Sequence, residues 1–191
     1  MLTFLACIVV GLFAVGATVL WLGASTFNRL MALEARCDTA FADIDVLLKR
    51  RHDLIPGLVE TVKGASRYEQ ETLIGLTQAR SEALAAVTPD VKMHAESALS
   101  ANITQLLAMG DRLPELKASA QFTALRTELV DADNRITAAR RFYNLAIEEY
   151  NATLRQFPGN LIATRRRLST RRPFDLGLDR IVADEPVAIK F

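Results

Sequence analysis

The chain has 191 residues, half of them hydrophobic, and a formal net charge of only +1. This length predicts one domain with one added segment, and the nearly neutral charge argues against a dedicated nucleic-acid-binding protein. The two cysteines, Cys7 and Cys37, form no closely spaced pair, so no zinc site or disulfide framework is indicated. No metal or cofactor is predicted.

The chain begins with an apolar segment. Residues 2–24 form an unbroken apolar run, and the first charged side chain is Arg29. As a helix this run would span about 34 Å, enough for a bilayer core of roughly 30 Å. It lacks the basic start and shorter apolar core of a signal peptide, so a retained anchor is favoured over that alternative. Because Arg29 and Arg36 both follow the run, the positive-inside rule predicts an external N-terminus and a cytoplasmic bulk.

Small residues lie along one face of this segment. They are Cys7, Gly11, Ala14 and Thr18. Small residues let transmembrane helices approach closely, so the stripe predicts a homo-oligomer formed through the anchor. The alternative is an ordinary lipid-facing helix, since glycine and alanine are common in such segments.

The remainder of the chain is predicted to be helical, because its apolar residues recur at alternating three-and-four spacing. The fourth predicted helix has the clearest pattern, which continues from Phe122 to Phe157 without interruption. The predicted helices are 30–52, 54–87, 91–109 and 122–157.

These helices predict an all-α protein with three parts. Residues 1–27 form a transmembrane anchor, residues 28–163 an antiparallel four-helix bundle, and residues 164–191 an extended, arginine-rich tail. In an antiparallel bundle of four helices, the fourth helix runs back towards the membrane that the first helix leaves. The tail is therefore expected to begin close to the bilayer.

The stretch around His52 has two interpretations. Pro56 cannot donate to the carbonyl of His52, and Asp53 is a good N-cap, so Asp53 and Pro56 predict a corner between two helices. The alternative is a catalytic acid–base pair of His52 and Asp53, which lacks a nucleophile or ligand nearby. Arg50 and Arg51 are expected to be solvated, with binding of an acidic partner as the alternative.

Two tyrosines lie one heptad apart in the fourth helix. Tyr143 and Tyr150 are each followed by asparagine. Core tyrosines within a hydrogen-bonded network are the favoured interpretation, and a ligand site between helices is the alternative.

The tail contains a basic cluster with two interpretations. If it lies at the cytoplasmic leaflet, it can contact anionic lipid head groups and hold the bundle against the bilayer. The alternative is a solvated tail whose arginines pair with Asp175, Asp179, Asp184 and Glu185. The cluster comprises Arg165, Arg166, Arg167, Arg171 and Arg172.

Two long blocks of the chain have specific patterns, "IDVLLKRRHDLIPGLVETVKGASRYEQETL", residues 44–73, and "RRFYNLAIEEYNATLRQFPGNLIA", residues 140–163. They closely resemble the two signature blocks of the LemA family. The resemblance implies a bacterial protein with an N-terminal membrane segment and an antiparallel helical bundle, and some relatives are associated with magnetosome membranes. It implies no established reaction. The chain departs from the expected pattern at Phe27, Phe41 and Gly57 and in its arginine-rich tail.

The sequence favours a membrane-anchored, non-catalytic scaffold in the bacterial inner membrane that binds unidentified protein partners or the membrane surface. The alternative is a membrane-bound hydrolase or ligand-binding protein that uses the His52/Asp53 corner or the Tyr143/Tyr150 face. No Ser–His–Asp set, P-loop or zinc motif supports an enzyme. The basic tail lacks the interleaved aromatic residues of a nucleic-acid binder, so no nucleic-acid partner is predicted.

Overall fold

The computed structural model describes residues 2–65 and 70–174, and every regular element within those ranges is a helix. The predicted all-α class is therefore confirmed, although the described helices do not reproduce the four predicted ones. In chain order they are α1 Leu2–Ala65, α2 Gln70–Ala85, α3 Pro89–Gly110, α4 Pro114–Lys117, α5 Ala120–Arg155 and α6 Gly159–Arg166.

The predicted corner at Asp53 and Pro56 is wrong, because α1 continues through both residues. A proline inside a helix leaves the carbonyl four residues earlier without its usual donor, and here that carbonyl belongs to His52. Nε of Arg80 on α2 donates to the His52 carbonyl oxygen at 2.9 Å. Asp53 caps no helix, since its carboxylate accepts a hydrogen bond from Nζ of Lys49 at 2.8 Å. That hydrogen bond lowers the pKa of Asp53 below its ordinary value.

The chain divides into two compact units. The first combines residues 1–42 with residues 141–173, and the second combines residues 43–140 with residues 174–191, of which only Phe174 is described. Helices α1 and α5 therefore each contribute residues to both units.

The second unit has a hydrophobic core to which α1 to α5 all contribute. The close approach of α5 to the end of α3 depends on Gly110, because the ring of Phe122 occupies the place where a Cβ of residue 110 would lie. The buried core residues are Ile55, Leu58, Val59, Val62, Leu73, Leu76, Ala79, Ala83, Leu99, Ile103, Leu106, Leu116, Phe122 and Leu129.

In the first unit, α5 runs antiparallel to α1. The rings of Phe41 and Tyr143 have centroids 5.5 Å apart. Farther along α5 and nearer the start of α1, the carboxylate of Glu149 lies 3.1 Å from a guanidinium nitrogen of Arg36 and 3.5 Å from one of Arg29. The end of α5 therefore approaches the part of α1 that follows the apolar segment.

The predicted inner face of α5 is correct along most of its length. Leu129, Ile136, Tyr143 and Tyr150 are all buried. The exception is Phe157, which lies at the register of this stripe but is 80% exposed. The register ends there because α5 stops at Arg155.

The burial of Ile136 predicts a large loss of stability on truncation. Ile136 is fully buried, so Ile136→Ala should lower the free energy of unfolding by about 2–5 kcal/mol through lost contacts and the cavity left behind. The adjacent Arg135 forms an exposed ion pair with Asp131 at 2.8 Å, and Arg135→Ala should cost less than about 1 kcal/mol. Chemical unfolding of the full-length protein in mild detergent measures both. Equal losses would contradict the assigned inner face.

Candidate functional site

The second unit contains a buried cluster of three ionisable residues. Arg51 and His52 on α1 are 1% and 4% exposed, and Glu96 on α3 is fully buried. The expectation that Arg51 is solvated is therefore wrong. One oxygen of the Glu96 carboxylate accepts a hydrogen bond from Nη2 of Arg51, and the other lies 2.9 Å from Nε2 of His52. The His52 contact has the distance of an ion pair without the alignment of a hydrogen bond.

Arg51 also links α1 to α5. Its Nη1 donates to the hydroxyl of Ser100 at 2.7 Å and to the carboxylate of Asp133 at 3.4 Å. Of the three guanidinium nitrogens of Arg51, Nε is the one that finds no hydrogen-bond partner among the described residues. A buried charge without partners lowers the stability of a protein by roughly several kcal/mol. These contacts therefore allow the charge of Arg51 to be buried in the core. Arg51 thereby ties together three helices of the unit, α1, α3 and α5.

Glu96 is ionised at neutral pH. Burial raises the pKa of Glu96, but the contact with His52 and the charge of Arg51 lower it by more, so its pKa lies below its ordinary value of 4.5. The carboxylate therefore stays charged within the core.

Helical spacing in the sequence could have revealed this cluster. Glu96 precedes Leu99 and Ile103 at three-and-four spacing, so it lies on the apolar stripe of α3. Arg51 lies on the corresponding stripe of α1, three residues after Leu48 and four before Ile55. An acidic and a basic residue that interrupt two apolar stripes are a recognisable signal of a buried ion pair.

Two clefts border the cluster. One, of about 140 Å³, is lined by Arg51, Ser100 and Asp133 together with apolar side chains of α3 and α5. The other, of about 300 Å³, is lined by ten residues that include His52 and Glu96. The second cleft carries charges of both signs and matches no single class of charged ligand. Its lining comprises Asp45, Leu48, Lys49, His52, Asp53, Ala83, Leu84, Ala86, Lys92 and Glu96.

His52 and Asp53 contact different partners. Both line the larger cleft, but His52 contacts Glu96 whereas Asp53 binds Lys49 on the exposed surface. Among the side chains that the structure describes, no group of three histidine, cysteine or acidic residues is arranged to hold a metal ion. The geometry of His52 is that of a structural histidine within an ion cluster.

The two tyrosines of α5 are core residues of the first unit. Tyr143 and Tyr150 are buried, and burial raises the pKa of both hydroxyls. The side-chain amide of Asn151 accepts from the backbone N–H of Arg171 at 3.0 Å and donates to its carbonyl at 2.9 Å. The Tyr–Asn pair at residues 150–151 therefore fills the core with its first member and holds the segment after α6 with its second.

The five arginines of the predicted basic cluster have different environments. Arg171 is held by the protein, because its guanidinium donates to the carboxylates of Asp38 and Glu34, and the hydrogen bond to Asp38 raises the pKa of Arg171. The guanidinium of Arg166 lies 5.1 Å from the centre of the Phe27 ring. The others, Arg165, Arg167 and Arg172, are exposed, and the acidic residues predicted to pair with them, Asp175, Asp179, Asp184 and Glu185, lie outside the described residues.

The predicted stripe of small residues lies in the apolar part of α1. Gly11, Ala14 and Thr18 are exposed there, and the Thr18 hydroxyl donates to the carbonyl of Ala14 at 2.8 Å. The side chain of Cys7 lies outside the described ones. Self-association through this stripe stays a prediction.

Removing Glu96 should leave the charge of Arg51 unbalanced in the core. Glu96→Ala is expected to lower the free energy of unfolding by about 3–5 kcal/mol, the usual cost of breaking a buried pair from one side. The exposed Glu82 on α2, which accepts a hydrogen bond from Gln78 at 3.0 Å, is the matched control. Glu82→Ala should cost less than about 1 kcal/mol. Thermal and chemical unfolding of full-length protein measure both, and a small loss for Glu96→Ala would contradict the cluster's structural role.

Acid should weaken the same cluster. The pKa of Glu96 is lower in the folded protein than its ordinary 4.5, so the unfolded chain takes up the proton first as the pH falls. The stability that Glu96 contributes is present above about pH 4.5 and is lost as the pH falls towards the folded pKa. The free energy of unfolding should therefore fall more between pH 7 and pH 4 for the wild-type protein than for Glu96→Gln. An equal loss in both proteins would assign the acid sensitivity to other carboxylates.

Comparison with known proteins agrees with the resemblance seen in the sequence. The model of the LemA family matches residues 40–191, which include the buried cluster and the C-terminal arginines but exclude the apolar segment. Protein LemA of Metamycoplasma hominis is 27% identical over 140 residues, which are 72% of this chain and 64% of that protein. The chain thus spans less than two thirds of that relative's length. Because the family model covers most of the chain, the protein belongs to the LemA family.

Proposed function

We propose that the protein is a membrane-anchored, non-catalytic scaffold. In this proposal the apolar start of α1 is held in a bilayer, and the other helices bind protein partners or the membrane surface. The observation that carries it is the exposure of that segment, in which Phe13, Leu20 and Trp21 are all exposed and nothing of the most apolar stretch is buried. A helix that is apolar on every side is stable only in apolar surroundings. The length and composition of the start of α1 are those of a helix that can cross a membrane.

Further features support a scaffold over a catalyst. The three buried ionisable residues of the cluster contact one another, with Glu96 contacting both Arg51 and His52. The hydrolase alternative has less support, because His52 and Asp53 contact different partners. The ligand-site alternative at Tyr143 and Tyr150 has less support as well, since both rings are packed in a core.

The basic residues also support an orientation. Arg29 follows the apolar segment directly, and Arg166, on α6, lies beside Phe27 in the same unit. Basic residues on one side of a span favour the cytoplasmic side. In our proposal the N-terminus is outside the inner membrane of a bacterial cell and the helices are in its cytoplasm.

The anchor can be tested by extraction of full-length protein from bacterial membranes. We expect the protein to resist alkaline carbonate and to keep residues 2–24 in its mature mass, because a retained transmembrane helix is released only by detergent. Deletion of residues 2–24 should move the protein to the soluble fraction. A mature chain that has lost those residues would favour the signal-peptide interpretation and overturn the anchor.

The same membranes test the scaffold against the enzyme. A scaffold should co-purify with a reproducible set of proteins in mild detergent, and Asp53→Asn should leave that set unchanged because Asp53 is exposed and forms a surface ion pair with Lys49 of its own helix. Asp131→Asn, which alters a comparable exposed ion pair, is the control substitution. Loss of cellular function in Asp53→Asn with an unchanged melting temperature, and not in Asp131→Asn, would support a hydrolase instead.

A further inference from the structure

We infer that the segment from Phe157 through α6 is a second membrane contact of the protein, one that lies in the plane of the lipid head groups. In this inference Phe157 and Leu161 enter the boundary between head groups and acyl chains, and Arg165 and Arg167 bind lipid phosphate groups. The inference rests on the proposed anchor, because the bilayer that α6 contacts is the one that holds the start of α1.

The first argument is position within the first unit. The Arg166 guanidinium on α6 lies 5.1 Å from the centre of the Phe27 ring, and Phe27 follows the apolar run by three residues. Three residues of helix correspond to about 5 Å along the axis. α6 therefore lies beside the point at which α1 leaves its apolar segment.

The antiparallel pairing of α1 and α5 leads independently to the same position. Glu149 contacts both Arg29 and Arg36, so it lies opposite the stretch between them. The end of α5, at Arg155, is six residues farther along, or about 9 Å at the usual helical rise. That distance brings the end of α5, and Phe157 just after it, to the level of the end of the apolar run.

The second argument is the distribution of side chains on α6. Its buried residues are the small ones, Gly159 and Ala163, and a Cβ on Gly159 would collide with the carbonyl oxygen of Thr153. Two large apolar residues point outward, with Phe157, just before α6, 80% exposed and Leu161 62% exposed, whereas Ile162 is half-buried. A helix on a water-soluble surface usually buries its large apolar residues and exposes its polar ones, so the exposure of these two needs an explanation.

The third argument is charge. Leu161 and Arg165 are four residues apart in α6, so one apolar and one basic residue lie along one face of that helix, and Phe157 lies just before its start. Residues 150–174 contain six arginines and no acidic residue. An outward face that is apolar at one end and basic at the other matches the interface of an anionic bilayer, where apolar residues enter the boundary and arginines meet phosphate. We therefore assign the face to lipid, and a protein partner is an alternative that the experiment below distinguishes.

The test uses tryptophan fluorescence of the full-length protein in nanodiscs that contain anionic lipid with brominated acyl chains. Trp21 is the only native tryptophan, so Trp21→Phe gives a dark background. In that background Leu161→Trp should show a blue-shifted emission and a loss of intensity when the lipid carries bromine near the head group. Leu145→Trp is the matched control, because Leu145 is exposed to the same 62% but lies farther from the apolar segment along α5. It should show no quenching.

A second comparison tests the arginines. Arg165→Gln combined with Arg167→Gln should reduce quenching at Leu161→Trp in anionic nanodiscs, and added salt should reduce it in the parent, since phosphate attraction is screened by ions. Quenching that is equal in anionic and neutral lipid, and unaffected by these substitutions, would overturn the phosphate contacts.

Native Trp21 separates failure of this inference from failure of the anchor. If Trp21 in the otherwise unchanged protein is quenched and Leu161→Trp is not, the anchor stands, α6 does not enter the membrane, and its apolar face belongs to a protein partner. If neither is quenched, the anchor itself fails and the inference fails with it. Equal quenching of Leu161→Trp and Leu145→Trp would also contradict the inference, because it would indicate unspecific adsorption of the whole first unit.

Discussion

The second unit depends on one carboxylate. Glu96 is fully buried and neutralises Arg51 while it contacts His52, so one acidic residue on α3 holds two neighbouring residues of α1. Arg51 extends the same network to Ser100 and to Asp133 on α5. Buried charges of this kind add little net stability compared with apolar residues of the same volume, but a shift in register of any of the three helices would leave a charge unpaired. The cluster therefore acts mainly to specify how α1, α3 and α5 pack.

The same part of α1 explains how the helix tolerates its proline. His52 contributes its ring to the cluster, and its carbonyl, which Pro56 leaves without a donor, accepts from Arg80 on α2. Two side chains from neighbouring helices thus converge on one residue, Glu96 on its ring and Arg80 on its carbonyl. The stretch that was predicted to be a corner between two helices is a place where tertiary contacts stabilise a helix that local rules would end.

Helical periodicity correctly predicted the features that depend on the spacing of nearby residues. It failed where residues far away in the sequence determine the structure. The all-α class and the inner face of α5 follow from spacing, because any helix that buries one side must repeat its apolar residues at that interval. The break at Pro56 was wrong because Arg80, 24 positions later in the chain, supplies the donor. Phe157 was placed in the core because the spacing continues past Arg155, where the helix itself ends. Arg51 was expected in water because its partner Glu96 could be found only by comparing the stripes of two helices.

The two attachments proposed for the first unit differ in what each can fix. A single helix in a bilayer can rotate about its axis and tilt, so it sets the distance of a protein from the membrane but not the side that faces it. In our proposal a second membrane contact is made beside Phe27 by the outward side of α6, whose inward side consists of the small residues Gly159 and Ala163. This second contact removes that freedom. Arg171 reinforces this arrangement from within, since its ion pairs with Glu34 and Asp38 hold the segment after α6 against α1. The scaffold that we propose needs a defined orientation on the membrane, and the contacts of α1 with α5, α6 and the segment after α6 are what would fix it.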